Sequence, residues 1–500
     1  MSALSEGFKE LWEPDSGEIT PPVRRRRARR ASRPAKRKRP RKPAREEVLS
    51  LFSGPWTARQ EEEAAASKGH YHLVGAAGVG MNPLAQTLVS LGYHVTGSDR
   101  YLDTGQELEV TPKLRRAGIR FFRQDGSGVH SRTLAVIVST AIEADNPDIV
   151  AANRLGVPLL HRSEMLAKLL EDKESIAVTG TSGKTTVTGM VGFLLEQLGD
   201  DPTVINGGIV LNWEGTDTVG NVRIGRSKRW VFEADESDRS LLRYRPDWAI
   251  ITNISADHFD LERSRELFRT FASRVRKGVI DPCDDSAPWP ELSASGSRFT
   301  YGGQLFHVPL LGRHNAENAL QAVMLCERLG YRLEDIAAAL ARFRGVRRRL
   351  DVVGVAGGVT VIDDYAHNPA KIRAAWRAVA PHYRRIFAVW RPHGFTPLSN
   401  MFHELKVLFR DIGESCERIY LLPVYYAGGT VSAVVTSATL VNELQAGGSP
   451  VELASNYDDL IDRIVARAQP GDAVLIMGAR DPYLPALARR LVETLRRRPT

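Results

Sequence analysis

The densest chemistry in the sequence is Gly180-Thr181-Ser182-Gly183-Lys184-Thr185-Thr186. An apolar run at 176–179 precedes it, and Val187, Met190, Val191, Leu194, Leu195 and Leu198 follow at helical spacing until Gly199. Strand, glycine turn and helix in that order form a shortened phosphate-binding loop, two residues tighter than the usual nucleoside-triphosphatase form. Gly180 and Gly183 let backbone N–H groups wrap phosphate oxygens, Lys184 sets a point charge between the β- and γ-phosphates, and the Thr185 hydroxyl can ligate Mg²⁺. ATP and Mg²⁺ are the ligands expected there.

Two further segments supply acids and imidazole. Residues 230–238 read as a strand running into Glu233, Asp235, Glu236 and Asp238, and residues 250–258 as a strand ending in Asn253, Asp257 and His258. In an open α/β sheet, ligands bind beyond the C-terminal ends of the strands. A carboxylate and an imidazole emerging beside a phosphate loop are natural hard ligands for Mg²⁺, a cation that takes few protein groups and keeps phosphate oxygens and water. A third glycine-bearing turn, Gly75, Gly78 and Gly80, joins a short apolar strand at 71–74 to a helix carrying Leu84, Ala85, Leu88 and Leu91, with Asp99 about 20 residues further on. Backbone N–H groups at such a turn can face a diphosphate, although the glycines do not fall in the G-x-G-x-x-G order, and a tight structural turn would use the same residues.

These motifs need strands and helices to hold them. Alternation of short apolar runs with helical repeats predicts an α/β protein with mostly parallel sheets. Five hundred residues are too many for one core. The expected divisions are a basic extension at 1–66, an N-terminal Rossmann-like domain at 67–172, a central phosphate-loop ATPase domain at 173–343 and a C-terminal Rossmann-like domain at 344–500, the last with strands near 359–362, 386–390, 419–422 and 473–477.

Composition narrows the setting. The net charge of +9 is local: of 68 basic residues, fourteen lie in 24–45, and the other 54 face 59 acidic ones. Pro21 and Pro22 precede that arm and Pro34, Pro40 and Pro43 interrupt it, which predicts a solvated, unfolded extension able to touch anionic surfaces, with no base-reading motif and hence no specific nucleic-acid role. No apolar run approaches the roughly 18 residues of a membrane span. The first apolar stretch is broken by Glu6, Lys9 and Glu10, so no leader is expected. Cys283, Cys326 and Cys416 have no metal-ligand spacing, which suits a reducing, cytoplasmic setting.

Taken in order, the sequence resembles the Mur ligase family over 70 to about 490. The resemblance rests on Gly75-Ala76-Ala77-Gly78-Val79-Gly80-Met81, the 179–186 loop, Glu233-Ala234-Asp235-Glu236-Ser237-Asp238, residues 253–258 and Gly312-Arg313-His314-Asn315-Ala316-Glu317-Asn318. It continues through Arg347-Arg348-Arg349, Asp363-Asp364-Tyr365-Ala366-His367-Asn368-Pro369 and Met477-Gly478-Ala479. The resemblance implies three domains and an ATP-dependent ligase that joins an amino acid, L-alanine in the branch it is most similar to, to a UDP-N-acetylmuramate-like acid through an acyl phosphate. It implies that Lys184, His258, Arg349 and His367 act in catalysis and that Thr185, Glu233 and His258 organise Mg²⁺. Asn315, Asn318 and Tyr365 would face adenine, and Gly78, Gly80, Met81, Asp99, Asp364 and His393 would contact substrate.

Several positions depart from the family pattern. Ser182 stands where a histidine is usual, and Ala77 where a glycine is. Arg391-Pro392-His393-Gly394-Phe395-Thr396-Pro397 replaces Pro-His-Arg-Tyr-Ser-Arg, so Gly394 and Pro397 stand at both arginine positions. Such arginines make bidentate contacts to carboxylate or phosphate, and Arg391 is the residue left to compensate. Arg480 replaces a glycine in Met-Gly-Ala-Gly-Asp, and 261–309 looks shorter than usual. A ligase for another acid and amine, as in cell-wall peptide recycling, and a non-catalytic nucleotide-binding relative are the alternatives.

Overall fold

In the computed structural model, residues 68–255, 260–281, 289–426 and 435–498 are described. The basic arm at 24–45, Asp257, His258 and Cys283 lie outside them. Among the described residues no helix is long and apolar enough to cross a membrane.

Three α/β sheets follow one another along the chain. The first contains β1 (His70–Val74), β2 (His94–Ser98), β3 (Arg120–Phe122), β4 (Thr133–Val138) and β5 (Leu159–His161), ordered β3-β2-β1-β4-β5 with every pairing parallel. Strand order reverses between β1 and β4, so the glycine turn after β1 opens at the switch point where such sheets take ligands.

The central sheet contains β6 (Glu174–Thr179), β7 (Thr203–Ile205), β8 (Val222–Arg223), β9 (Arg229–Glu233), β10 (Trp248–Ile251) and β11 (Gly278–Ile280) in the order β11-β10-β6-β9-β7-β8. Only the edge strand β8 is antiparallel. The strands carrying the phosphate loop, Glu233 and Thr252 are thus neighbours whose C-terminal ends share one side. Helix Lys184–Gln197 leaves the loop and is buried from Thr185 to Leu195 on all faces, where the sequence suggests one. The reason is a sheet on one side and helix Arg313–Arg328 on the other, which share a core including Val178, Met190, Leu194, Ala319 and Val323. A small antiparallel sheet, β12 (Glu291–Ser293), β13 (Gly296–Tyr301) and β14 (Gln304–Val308), occupies part of the 261–309 stretch.

The third sheet contains β15 (Asp351–Ala356), β16 (Val359–Asp364), β17 (Ile386–Arg391), β18 (Arg418–Leu421), β19 (Val451–Leu453) and β20 (Ala473–Gly478), ordered β15-β16-β20-β17-β18-β19. The edge strand β15 is antiparallel and the rest are parallel. Trp390 and Tyr420 are the largest side chains fully buried there. The chain reaches this sheet through a segment clamped to the central one: Leu211 N donates to Gly345 O at 3.0 Å and Arg347 N to Ile209 O at 2.8 Å.

Candidate active site

The phosphate loop is built by close packing. Gly180 and Gly183 have φ of +126° and +88°, and a Cβ there would sit 2.2 Å from Thr252 Oγ1 and 2.6 Å from Asn318 Oδ1, respectively. Only glycine fits both the backbone and the space. The segment after β10 holds the loop's back: Asn253 Nδ2 donates to Ser182 O at 2.7 Å, Ser182 N to Asn253 Oδ1 at 3.1 Å, and Thr252 Oγ1 to Ser182 O at 2.6 Å. Asn315 and Asn318 lie behind the same loop and are buried. Asn315 Nδ2 donates to Leu311 O at 2.8 Å, and Asn318 Nδ2 to Asn315 Oδ1 at 3.3 Å.

Lys184 ends its chain on Glu236. Its Nζ is 2.5 Å from Glu236 Oε2 and 2.8 Å from Gly180 O. Burial pushes the Glu236 carboxyl up from its ordinary value while Lys184 pulls it down, and Glu236 Oε1 is buried without a hydrogen-bond partner. At the neighbouring Asp235 burial acts in the same direction, but Lys184, the Ser237 N–H and Arg162 hold the carboxyl below its usual range. Thr185 Oγ1 donates to Glu233 Oε1 at 3.0 Å, and Gly207 N holds the other Glu233 oxygen at 2.9 Å.

Arg347, Arg348 and Arg349 fan in three directions. Arg347 reaches Glu109 at 3.1 Å and Glu214 at 2.6 Å. Arg348 Nη2 donates to Gly478 O at 2.5 Å, and Arg349 Nη2 to Thr185 Oγ1 at 3.3 Å. Arg348 and Leu350 are left-handed, with φ of +61° and +49°, a conformation that costs a non-glycine residue on the order of 1 kcal/mol. Tyr365 lies under two of these side chains, its ring 5.0 Å from the Arg348 guanidinium and 5.2 Å from that of Arg349.

Thr185, Glu233, Arg347, Arg348, Arg349 and Tyr365 meet in one cavity of about 770 Å³, whose lining does not include Lys184, Glu236, Asn315 or Asn318. Of the residues expected from sequence, Gly78, Gly80, Met81, Asp99, Thr185, Glu233, Arg349 and Tyr365 line it. Asp99 does so with both oxygens engaged, accepting from Ala77 N and Tyr101 N at 3.1 Å each, so it fixes the first glycine turn. Asp364 is similarly committed to Leu350 N and Ala366 N, each at 2.8 Å. His367 and His393 meet edge to face at 5.1 Å. Burial, followed by the charges of Arg480 and Lys371, lowers the His393 pKa to about 4.

One expectation is corrected. Arg391 does not stand in for the arginines absent at 394 and 397. Its guanidinium is held by Asp481 Oδ2 at 2.5 Å, by the Tyr457 hydroxyl and by Pro423 O at 3.2 Å, between the rings of Tyr425 and Tyr457. Sequence reasoning also assigned no role to Glu236, the partner of Lys184, although it lies three residues after Glu233 in the same acidic run. Thr252 and Asn253 were visible only as polar groups at a strand end.

The pair Thr185–Glu233 at the mouth of a glycine cradle is a set of hard oxygen donors suited to Mg²⁺. Among the described residues no three His, Cys, Asp or Glu side chains could hold a metal by themselves.

Comparison with known proteins agrees with this geometry. Three family models match in order: Mur ligase family, catalytic domain, at 70–174; Mur ligase middle domain at 178–270; and Mur ligase, glutamate ligase domain, at 348–480. A UDP-N-acetylmuramate--L-alanine ligase of Sinorhizobium medicae is 35% identical over 477 residues, covering 85% of this chain and 97% of its own. One from Novosphingobium aromaticivorans is 36% identical over 464 residues, covering 83% and 94%. The crystal structure of the UDP-N-acetylmuramate-alanine ligase of Thermotoga maritima superposes with a TM-score of 0.71 at 28% identity, covering 85% of this chain and 98% of that one. A murein peptide ligase from Psychrobacter arcticus shares the fold, with a TM-score of 0.60 at 23% identity over 86% and 99% of the two chains. With Thr185 after the phosphate loop, the acidic strand end at Glu233 and Arg349 from the turn before the third sheet converging on one cavity, and with relatives matched over nearly their whole length, the chain belongs to the Mur ligase family of ATP-dependent ligases.

Proposed function

We propose that this ligase forms the amide bond between UDP-N-acetylmuramate and L-alanine in the cytoplasm, at the expense of ATP. The observation that carries the reading is the single cavity lined by the first glycine turn, by Thr185 and Glu233 and by Arg349 and Tyr365. Curated relatives bearing that activity in their names are about a third identical over almost their entire length.

In this reading a carboxylate oxygen of the acid attacks the γ-phosphorus of ATP, the bond to the β–γ bridging oxygen breaks, and ADP leaves. The amino nitrogen of alanine then attacks the acyl carbon, an N–H proton is given up, and the carbon–oxygen bond to phosphate breaks. Phosphoryl transfer asks a protein chiefly for alignment and charge neutralisation. The backbone at Gly183 and the start of the following helix would hold the phosphates, the Thr181 and Ser182 N–H groups being given to Asn253, and Lys184 would exchange Glu236 for them. Arg349 would meet the charge that develops on the transferring group. Thr185, Glu233 and His258 would hold Mg²⁺, which when bound neutralises phosphate charge. Asn315, Asn318 and Tyr365 would face adenine, and His367 and His393 would sit at the amino-acid side. Gly78, Gly80 and Met81 would take the UDP-sugar.

Release of phosphate from ATP, measured with magnesium, UDP-N-acetylmuramate and each amino acid in turn, tests the proposal. Turnover restricted to L-alanine supports it. Turnover restricted to another amino acid or a peptide shifts the amine, a second reading that Gly394 and Pro397 favour. Absence of ATP binding as well as turnover removes the enzymatic reading.

A further inference from the structure

The cations that line the cavity differ in how they are used. Around the cavity, Lys113, Arg162, Arg347 and Arg348 each have a carboxylate partner, at 3.6, 3.4, 2.6 and 3.5 Å respectively. Arg349 donates to Thr185. Arg100 sits beside Asp99, whose charge it faces at the first sheet. Arg480 also lines the cavity, is exposed, and has no ion pair or side-chain hydrogen bond among the described residues.

Its backbone is as unusual as its pairing. Arg480 has φ of +59°, so the strand end turns through a left-handed residue directly after β20. Glycine would occupy that conformation without penalty, whereas arginine pays on the order of 1 kcal/mol for it. Arg480 N lies 3.4 Å from the Tyr365 hydroxyl, and the Tyr365 ring is the one beneath Arg349. The side chain therefore starts one tyrosine away from the arginine that touches Thr185. Its charge is felt at His393, on the loop that lacks arginine at 394 and 397. An unpaired guanidinium held at strained backbone beside the reacting centre fits a planar anion that arrives with the substrate.

We infer that Arg480 binds the α-carboxylate of the incoming amino acid, supplying from the end of β20 the cation that the 391–397 loop does not carry. The inference rests on the proposed ligase reaction. The acyl carbon must lie near Thr185 and Arg349, so an amine attacking it brings its carboxylate within the same corner of the cavity. The γ-phosphate of ATP, a tetrahedral anion, is the other anion the reaction brings to this cavity, and it is separated by experiment.

The test is steady-state phosphate release by the full chain and by Arg480→Gly and Arg480→Lys, with L-alanine or L-alaninamide as amine. Arg480→Gly relieves the backbone, so its melting temperature should equal or exceed that of the parent. The expected result is a rise of roughly tenfold or more in the KM for L-alanine. The KM for ATP and for UDP-N-acetylmuramate should hold within twofold, and the parent's preference for alanine over its amide should be lost. Arg480→Lys should recover part of that preference, because charge returns without the bidentate fork. An unchanged alanine-to-amide ratio, or a rise confined to the KM for ATP, overturns the inference. If the parent uses a different amino acid, the alanine assignment fails by itself, and the same acid-versus-amide ratio on the amine it does use still decides the role of Arg480.

Discussion

Arg349 reaches the Thr185 hydroxyl at 3.3 Å across 164 residues of sequence, from a turn in which the residues on either side, Arg348 and Leu350, are both left-handed. The turn sits where the chain passes from the central sheet to the third one. A strained junction thus sets the only described contact between the arginine triad and the phosphate loop's threonine. Strain at such a place persists when surrounding bonds over-determine it, and here Tyr365 N on Arg348 O and Leu350 N on Asp364 supply those bonds.

Arg349→Ala should lower kcat for phosphate release by roughly 10²-fold or more, the usual cost of removing one donor from developing charge. Its melting temperature should fall only slightly, because Asp364, whose charge Arg349 faces, keeps its two backbone donors and Thr185 keeps Glu233. A large fall in stability with kcat intact would assign the residue to the junction instead.

Lys184→Met should abolish turnover and also destabilise the fold, by about 3 kcal/mol, since it strands the Glu236 carboxylate in a buried site. The double change with Glu236→Gln should regain most of that stability while turnover stays absent. Denaturant midpoints of the two variants, compared with ATP cleavage, separate the roles. Equal instability of single and double variants would rule out the pairing as its source.

Acid stability should depend on a histidine cluster beneath the first sheet. His70 is 2% exposed, bonded to Thr96 at 2.7 Å and Thr133 at 3.0 Å, and stacked 4.7 Å from His130. Burial, then His72, His130 and His94, lower its pKa to about 2. The unfolded chain takes up that proton near the ordinary value of about 6.5, so the stabilisation is complete above about pH 6.5 and drains away as pH falls towards 2. Unfolding free energies of His70→Asn and the parent should diverge in slope below pH 6.5, approaching roughly 1.4 kcal/mol per pH unit. Parallel profiles for the two proteins would show that the cluster is not titrating.

Arg391→Met should destabilise by about 3 kcal/mol, because Asp481 is fully buried and loses the cation that neutralises it. The KM for the amino acid should change by less than twofold. A large rise in that KM at native stability would restore Arg391 as a substrate contact and contradict its assignment to the Asp481–Tyr457 pair.

The glycine spacing at 180–186, the apolar strand before it and the helical repeat after it were sufficient to specify the phosphate loop, since backbone conformation and local hydrogen bonding act over a few residues. The alternation of runs likewise identified the strands of all three sheets that carry the loops, and Glu233 at the end of one. What remained beyond reach was partnership between distant residues. Which carboxylate neutralises Lys184, that Arg391 is consumed by Asp481 and Tyr457, and that Arg349 rather than Arg347 or Arg348 turns towards Thr185 all depend on how sheets from remote parts of the chain pack. The arginine at 480 read in sequence as the loss of a glycine. Tertiary structure assigns it a left-handed backbone and a charge with no ion pair among the described residues at the cavity, because dihedral angle and ion pairing are properties of the folded surroundings and not of residue type.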